Sequence, residues 1–158
     1  MARYLLVAHQ TAESPELIAA ALALAAPDPK AEFTILVPAT PVQHLLVWEE
    51  RETKAAARHR AALAASRLRH AGCRISEARI GDQNPVLAVE DELRRLRYAA
   101  IVVSTFPPRW SRWLKLDVIS RLNRSFPNHS LIHVISEPEP ARGSVASSVS
   151  NVGGGNLR

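Results

Sequence analysis

The sequence predicts an α/β protein: an open five-stranded parallel sheet with helices on both faces, a Rossmann-like three-layer sandwich. Three observations carry that expectation. Apolar runs of strand length alternate with helical stretches from Tyr4 to Ile135. Two of the runs, Tyr4-Leu-Leu-Val-Ala8 and Ala99-Ala-Ile-Val-Val103, are continuously apolar, as strands covered on both faces are. Three helix starts repeat one device, Ser14-Pro15, Thr40-Pro41 and Asn84-Pro85, at about one β/α spacing. In each, an N-cap oxygen precedes a proline at N1, where the missing N–H would have had no partner. Strictly alternating strands and helices require right-handed crossovers and a parallel sheet.

Taken in order, Tyr4 to Ala8 is the first strand. Ser14-Pro15 opens a helix through Leu17, Ile18, Leu22 and Leu24 that ends near Pro27. Glu32 to Val37 is the second strand. A long helix from Thr40-Pro41 to about Ala71 stops at Gly72, and Thr40 with Gln43 fits a capping box. Arg74 to Ile80 alternates polar and apolar residues, as a strand at or near a sheet edge does. Asn84-Pro85 opens a helix through Val86, Val89, Leu93 and Leu96. Ala99 to Ser104 is the fourth strand, Ser111 to Phe126 an amphipathic helix, and Ser130 to Ile135 the fifth strand. From Glu137 the pattern fails, and Glu-Pro-Glu-Pro gives way to Gly/Ser-rich sequence. Residues 1–136 are therefore expected to form one domain, and 137–158 a low-complexity, flexible tail.

Composition narrows the class. The 158 residues are 47% hydrophobic and 22% charged, within the globular range. The single cysteine, Cys73, excludes an intrachain disulfide and suits a reducing cytosol. The first apolar run is too short for a leader or a membrane span, so the expectation is a cytoplasmic protein without membrane attachment. The net charge of +5 is concentrated. Residues 104–126 hold Arg109, Arg112, Lys115, Arg121 and Arg124 against Asp117 alone, five cations against one acid, a net +4. Nucleic-acid binding would require aromatics free to stack beside that charge. Trp110 and Trp113 are instead expected in the buried stripe with Leu114, Val118 and Leu122, with Asp117 and Arg121 as a surface i,i+4 pair.

Candidate ligand residues follow from topology, because ligands of open parallel sheets sit beyond the strand C-termini. The loop after the first strand offers His9, Gln10 and Thr11. The third strand ends in Gly81-Asp82, which turn chemistry explains as well as ligand binding does. The segment Ser104 to Asp117 offers hydroxyls at Ser104, Thr105 and Ser111 and cations at Arg109, Arg112 and Lys115, a set able to hold a phosphate or carboxylate. It has two prolines and no glycine, so it is stiff and lacks the residue that lets backbone amides close on an anion. No metal-site or nucleophile motif occurs, which leaves no catalytic residue and no metal ligand to name.

The order of elements and several phrases resemble the universal stress protein family, over about residues 3–136. The phrases are the long second helix ending Ala71-Gly72, Gly81-Asp82 before the third helix, Leu36-Val-Pro-Ala-Thr-Pro41, and Ser104-Thr-x-Pro-Pro-x-x-Ser-Arg-Trp-Leu-x-x-Asp117. The resemblance implies strand order 3-2-1-4-5 and an adenine nucleotide as possible ligand. Val37, Pro38 and Ala39 would then surround the base, and Arg109 or Arg112 would meet the phosphate. It also implies a homodimer through the fifth strand, at Leu131, Ile132, His133, Val134 and Ile135. The chain departs from ATP-binding members by carrying His9 where they have an aspartate, and by lacking their glycine-rich loop between Thr105 and Asp117. The expected function is thus a universal-stress-protein-like ligand-binding or signalling module that takes a nucleotide or small anion in a non-standard way. Two alternatives stand beside it: an interaction module using the basic helix 111–126, and an adenylate-processing enzyme.

Overall fold

The computed structural model describes residues 1–41 and 50–138. Five strands, β1 (Arg3–Val7), β2 (Glu32–Pro38), β3 (Arg74–Gly81), β4 (Ala100–Thr105) and β5 (Ser130–Ile135), form one parallel sheet in the order β3-β2-β1-β4-β5. Five helices connect them: α1 (Pro15–Ala25), α2 (Glu50–His70), α3 (Pro85–Arg95), α4 (Arg112–Lys115) and α5 (Val118–Ser125). The apolar runs read from the sequence occupy the middle of the sheet, where Val7 aligns with Leu36 of β2 and Val103 of β4. Every residue of β4 is buried, whereas β3, at the edge, alternates exposed and half-buried positions over most of its length.

Because successive side chains in a strand point to opposite faces, the sheet supplies two cores. One face packs Leu6, Phe33 and Ile35 against Leu17 and Ala21 of α1 and the alanine-rich face of α2. The other packs Leu5, Val7 and Ile101 against Val86 and Val89 of α3, Trp113 of α4, and Val118 and Leu122 of α5. Alanine at 57, 61, 64 and 65 lets α2 lie close to the sheet. Gly81 does the same for α3, since a Cβ there would stand 2.6 Å from the Ala88 Cβ. The buried Glu92 carboxylate accepts the Tyr98 hydroxyl at 2.7 Å and pairs with Arg79 at 3.1 Å.

Two of the three helix-start devices form as the sequence predicts. Ser14 Oγ accepts the Leu17 amide at 3.1 Å, and Asn84 Oδ1 accepts the Val86 amide at 3.0 Å. The Thr40 hydroxyl donates to the Gln83 carbonyl at 3.0 Å and ties the β2 and β3 exits together, while the amides it is expected to cap lie outside the described residues. Gln43, the other half of the expected capping box, lies outside the described residues, as does the tail from residue 139.

The expected single helix over 111–126 is corrected to two, α4 and α5, broken at Asp117, whose φ of 55° lies in the left-handed region. The break shifts the helical phase. Trp113 and Val118, five residues apart, then both reach the core, while Trp110 is 60% and Leu116 53% exposed. Trp110 is therefore not part of the buried stripe. Asp117 pairs with Arg124 at 3.7 Å rather than with Arg121: it is the N-cap of α5, and its left-handed backbone re-aims the side chain.

Candidate functional site

In this sheet order the connections from β1 and β4 leave in opposite directions, so their exits part and open a crevice at the C-terminal edge. A cleft of about 230 Å³ occupies that place. Three exits build it: His9, Gln10 and Thr11 after β1, Thr40 and Pro41 after β2, and Ser104 to Phe106 with Trp110 to Trp113 at the end of β4 and beyond. Seven of the sequence-derived candidates therefore meet there, His9, Gln10, Thr11, Ser104, Thr105, Ser111 and Arg112.

The others lie elsewhere. Val37 and Pro38 are buried within β2. Ala39, Gly81 and Asp82 border a second, larger cleft of about 790 Å³ beside Arg79, Glu92 and Arg95. There Asp82 Oδ1 accepts the Asn84 amide at 2.8 Å, which is turn chemistry. Arg109 and Lys115 are exposed on the flank of the first cleft and outside its lining. Arg109 lies over the Trp110 ring, its guanidinium carbon 5.7 Å from the ring centroid. Leu131, Ile132, His133, Val134 and Ile135 form the outer edge strand, with Ile135 48% exposed.

The loop after β4 turns without glycine by spending its amides internally. The Pro107 carbonyl accepts the amides of Trp110 at 2.8 Å and Ser111 at 3.0 Å. Ser111 Oγ in turn accepts the Leu114 amide at 3.2 Å and caps the one-turn helix α4. Pro107 and Pro108 have no N–H to offer. The amides of Trp110 and Ser111 are thus engaged within the loop.

Five of the described lining side chains carry hydroxyls, at Thr11, Thr40, Ser104, Thr105 and Ser111, and a chain of serines holds Ser104 from behind. Ser104 Oγ lies 2.9 Å from Ser136 Oγ, which lies 2.8 Å from Ser14 Oγ. Ser136 is fully buried and joins the ends of β4 and β5 to the cap of α1. Sequence reasoning missed it, since a lone serine after the last apolar run carries no signal of its own. Thr105 Oγ1 donates to the Phe106 carbonyl at 2.9 Å and stands 2.8 Å from His133 Nε2. With the threonine proton committed, the network assigns the donor role to His133 Nε2.

His9 is partly buried, and burial together with the Arg60 charge lowers its pKa to about 4, against the opposing effect of a hydrogen bond to the Thr40 backbone. The imidazole is neutral at pH 7 and serves as a polar group without charge. Arg112 is the one cation of the described lining, which holds no carboxylate. Thr11 is 4% exposed, and its Oγ1 has no hydrogen-bond partner among the described residues. Buried hydroxyls are rarely left unpaired, which makes Thr11 the polar side chain of this wall whose partner is open among the described residues.

The fold and the cleft define an open parallel α/β architecture with a crevice at its switch point. The chain has the fold of the universal stress proteins. A universal stress protein crystallised in complex with cAMP superposes with a TM-score of 0.56 at 17% identity, covering 85% of this chain and 98% of that one. A universal stress protein family member from Burkholderia pseudomallei gives 0.53 at 16% identity, with 84% and 96% covered. The universal stress protein from Archaeoglobus fulgidus gives 0.52 at 16% identity, with 83% and 93% covered. No protein-family model matches the chain, and no curated protein matches it in sequence.

Proposed function

We propose that the chain is a ligand-binding module of the universal-stress-protein type whose β1/β4 cleft takes a small anionic molecule. The observation that carries this reading is the unpartnered, buried Thr11 hydroxyl in a cleft whose described lining has one cation and no carboxylate. A solved structure of the same fold holds cAMP, which makes phosphate-bearing molecules the first class to test. At about 230 Å³ the cleft lies below the roughly 300–1,000 Å³ of sites for drug-sized ligands. With no glycine in the β4 loop and two of its amides engaged by Pro107, a small cleft with one cation fits a phosphate or a nucleoside monophosphate better than a triphosphate. In this reading Arg112 meets the charge, Thr11 and Ser104 hydrogen-bond it, and the exposed Trp110 face is available to a planar group. The module signals by its bound state in a reducing cytosol, which the single, buried Cys73 supports.

A thermal-shift series with inorganic phosphate, sulfate, AMP, cAMP and ATP tests this. Millimolar phosphate or a monophosphate should raise the melting temperature, and Arg112→Ala should remove the rise. No shift with any of these ligands, or a shift untouched by Arg112→Ala, refutes the assignment.

We infer in addition that two copies pair through β5. Its outer edge leaves a row of backbone groups beside the exposed Ile135, and such edges are covered in stable proteins.

A further inference from the structure

The break at Asp117 leaves an unusual surface around α4. Trp110 and Leu116, large apolar side chains on either side of this four-residue helix, are 60% and 53% exposed. Arg109, Arg112, Lys115 and Arg121 are exposed around them. None of the four makes an ion pair among the described residues, whereas Arg124 is taken by Asp117. Some arginines elsewhere on the described surface stand against acids, as Arg67 does with Glu13, Arg74 with Glu32, and Arg95 with Glu77. Arg51, Arg58, Arg69 and Arg97 are also exposed without an ion pair among the described residues, so what sets this face apart is that its unpaired cations surround two exposed, large apolar side chains.

We propose that this face docks an acidic protein segment carrying an aliphatic or aromatic side chain, with Trp110 and Leu116 as the apolar contacts and Arg109, Lys115 and Arg121 as the charged rim. Exposed tryptophan with arginine is the composition of interface anchors. Charge selects the occupant. A second copy, itself at +5, would set like patches against each other in any two-fold contact centred here. An anionic bilayer calls for a long helix with its apolar face outward, but the apolar face of α5, Val118 and Leu122, is buried against the sheet and α3. Single-stranded nucleic acid calls for successive stacking aromatics, and one exposed tryptophan stands on this face. Trp110 and Arg112 also line the β1/β4 cleft, so the docked segment lies across its mouth. That continuity rests on the proposed cleft function; the docking itself does not.

The test uses the intact protein and three labelled peptides: one alternating Glu with Leu, its Gln-for-Glu counterpart, and its Ser-for-Leu counterpart. Anionic phosphatidylserine vesicles and an oligothymidylate complete the set. The acidic-apolar peptide should bind at least about tenfold more tightly than either counterpart, and more tightly than vesicles or oligonucleotide. Added salt should weaken it, as for a charge-steered complex. Leu116→Ser and the double variant Lys115→Glu/Arg121→Glu should each weaken it about tenfold, a change worth 1.4 kcal/mol. These three residues lie outside the cleft lining, so the same variants should keep the phosphate-induced thermal shift of the wild type. Equal binding of the Gln peptide, tighter binding of vesicle or oligonucleotide, or variants that bind as the wild type does would overturn the proposal. Loss of the phosphate shift alone would count against the cleft and leave the docking face standing.

Discussion

Replacing Thr11 by valine separates a ligand hydroxyl from a structural one. The side chain is 4% exposed and its Oγ1 lacks a partner among the described residues, so the empty protein carries the cost of a dehydrated, unpaired hydroxyl. That cost is about 1–3 kcal/mol, and an apolar group of the same shape removes it. For 158 residues each kcal/mol moves the melting temperature by roughly 3 °C, so the empty variant should melt roughly 3–9 °C higher than the wild type. Ligand narrows the gap. A ligand at 100 times its Kd adds about 2.7 kcal/mol to the wild type. The variant, having lost one hydrogen bond to the ligand, should bind about tenfold more weakly. Differential scanning fluorimetry with and without millimolar phosphate or AMP reads both halves. A Thr11→Val protein that melts below the wild type when empty would show that the hydroxyl serves the fold. One that melts higher but binds phosphate as well as the wild type would show that the hydroxyl faces nothing in the ligand.

Three further outcomes are expected. His9 has a pKa near 4 in the folded protein against 6.5 when solvated, so between those values the unfolded chain holds the extra proton. Stability is then complete above about pH 6.5 and falls by roughly 3 kcal/mol as the pH drops toward 4; urea unfolding of His9→Gln should show a flatter profile over that range, and parallel profiles would contradict the burial of His9. Gly81→Ala forces a methyl to 2.6 Å from the Ala88 Cβ and should lower stability by about 1–3 kcal/mol, seen as a reduced urea midpoint. Ile135→Lys places a charge on the β5 edge and should convert the proposed dimer to monomer in light scattering; a wild type that scatters as a monomer at all concentrations removes the dimer reading.

The parts of this fold that were legible in the sequence are those decided by local chemistry. Continuous apolar runs marked the central strands, because only side chains buried on both faces can be apolar at every position. Ser14 and Asn84 marked helix starts, because an N-cap oxygen before proline satisfies an amide at short range. Thr40 also makes a contact that such local logic does not reach. It has the same local signature, yet its hydroxyl reaches Gln83, 43 residues away, a partner that exists only once β2 and β3 are side by side.

The candidate site divides along the same line. Topology alone placed the exits of β1 and β4 together, and with them His9, Thr11, Ser104 and Arg112. Val37 to Ala39 and Gly81-Asp82 come from the β2 and β3 ends, and the structure sets Ala39, Gly81 and Asp82 on a different cleft. Ser136 was illegible, since its two serine partners are 32 and 122 residues distant. The break at Asp117 was hidden for another reason. Helical periodicity over 111–126 counts positions on an unbroken helix, and left-handed conformations are ordinarily announced by glycine or asparagine. Asp117 adopts one without glycine and shifts the phase between Trp113 and Val118. The two tryptophans, alike in sequence, are thereby separated, Trp113 into the core and Trp110 onto the surface where the cleft and the basic face meet. Whatever enters the cleft and whatever docks beside it must both pass Trp110, so a tryptophan read from the sequence as core packing is the residue through which the two proposed bindings would compete.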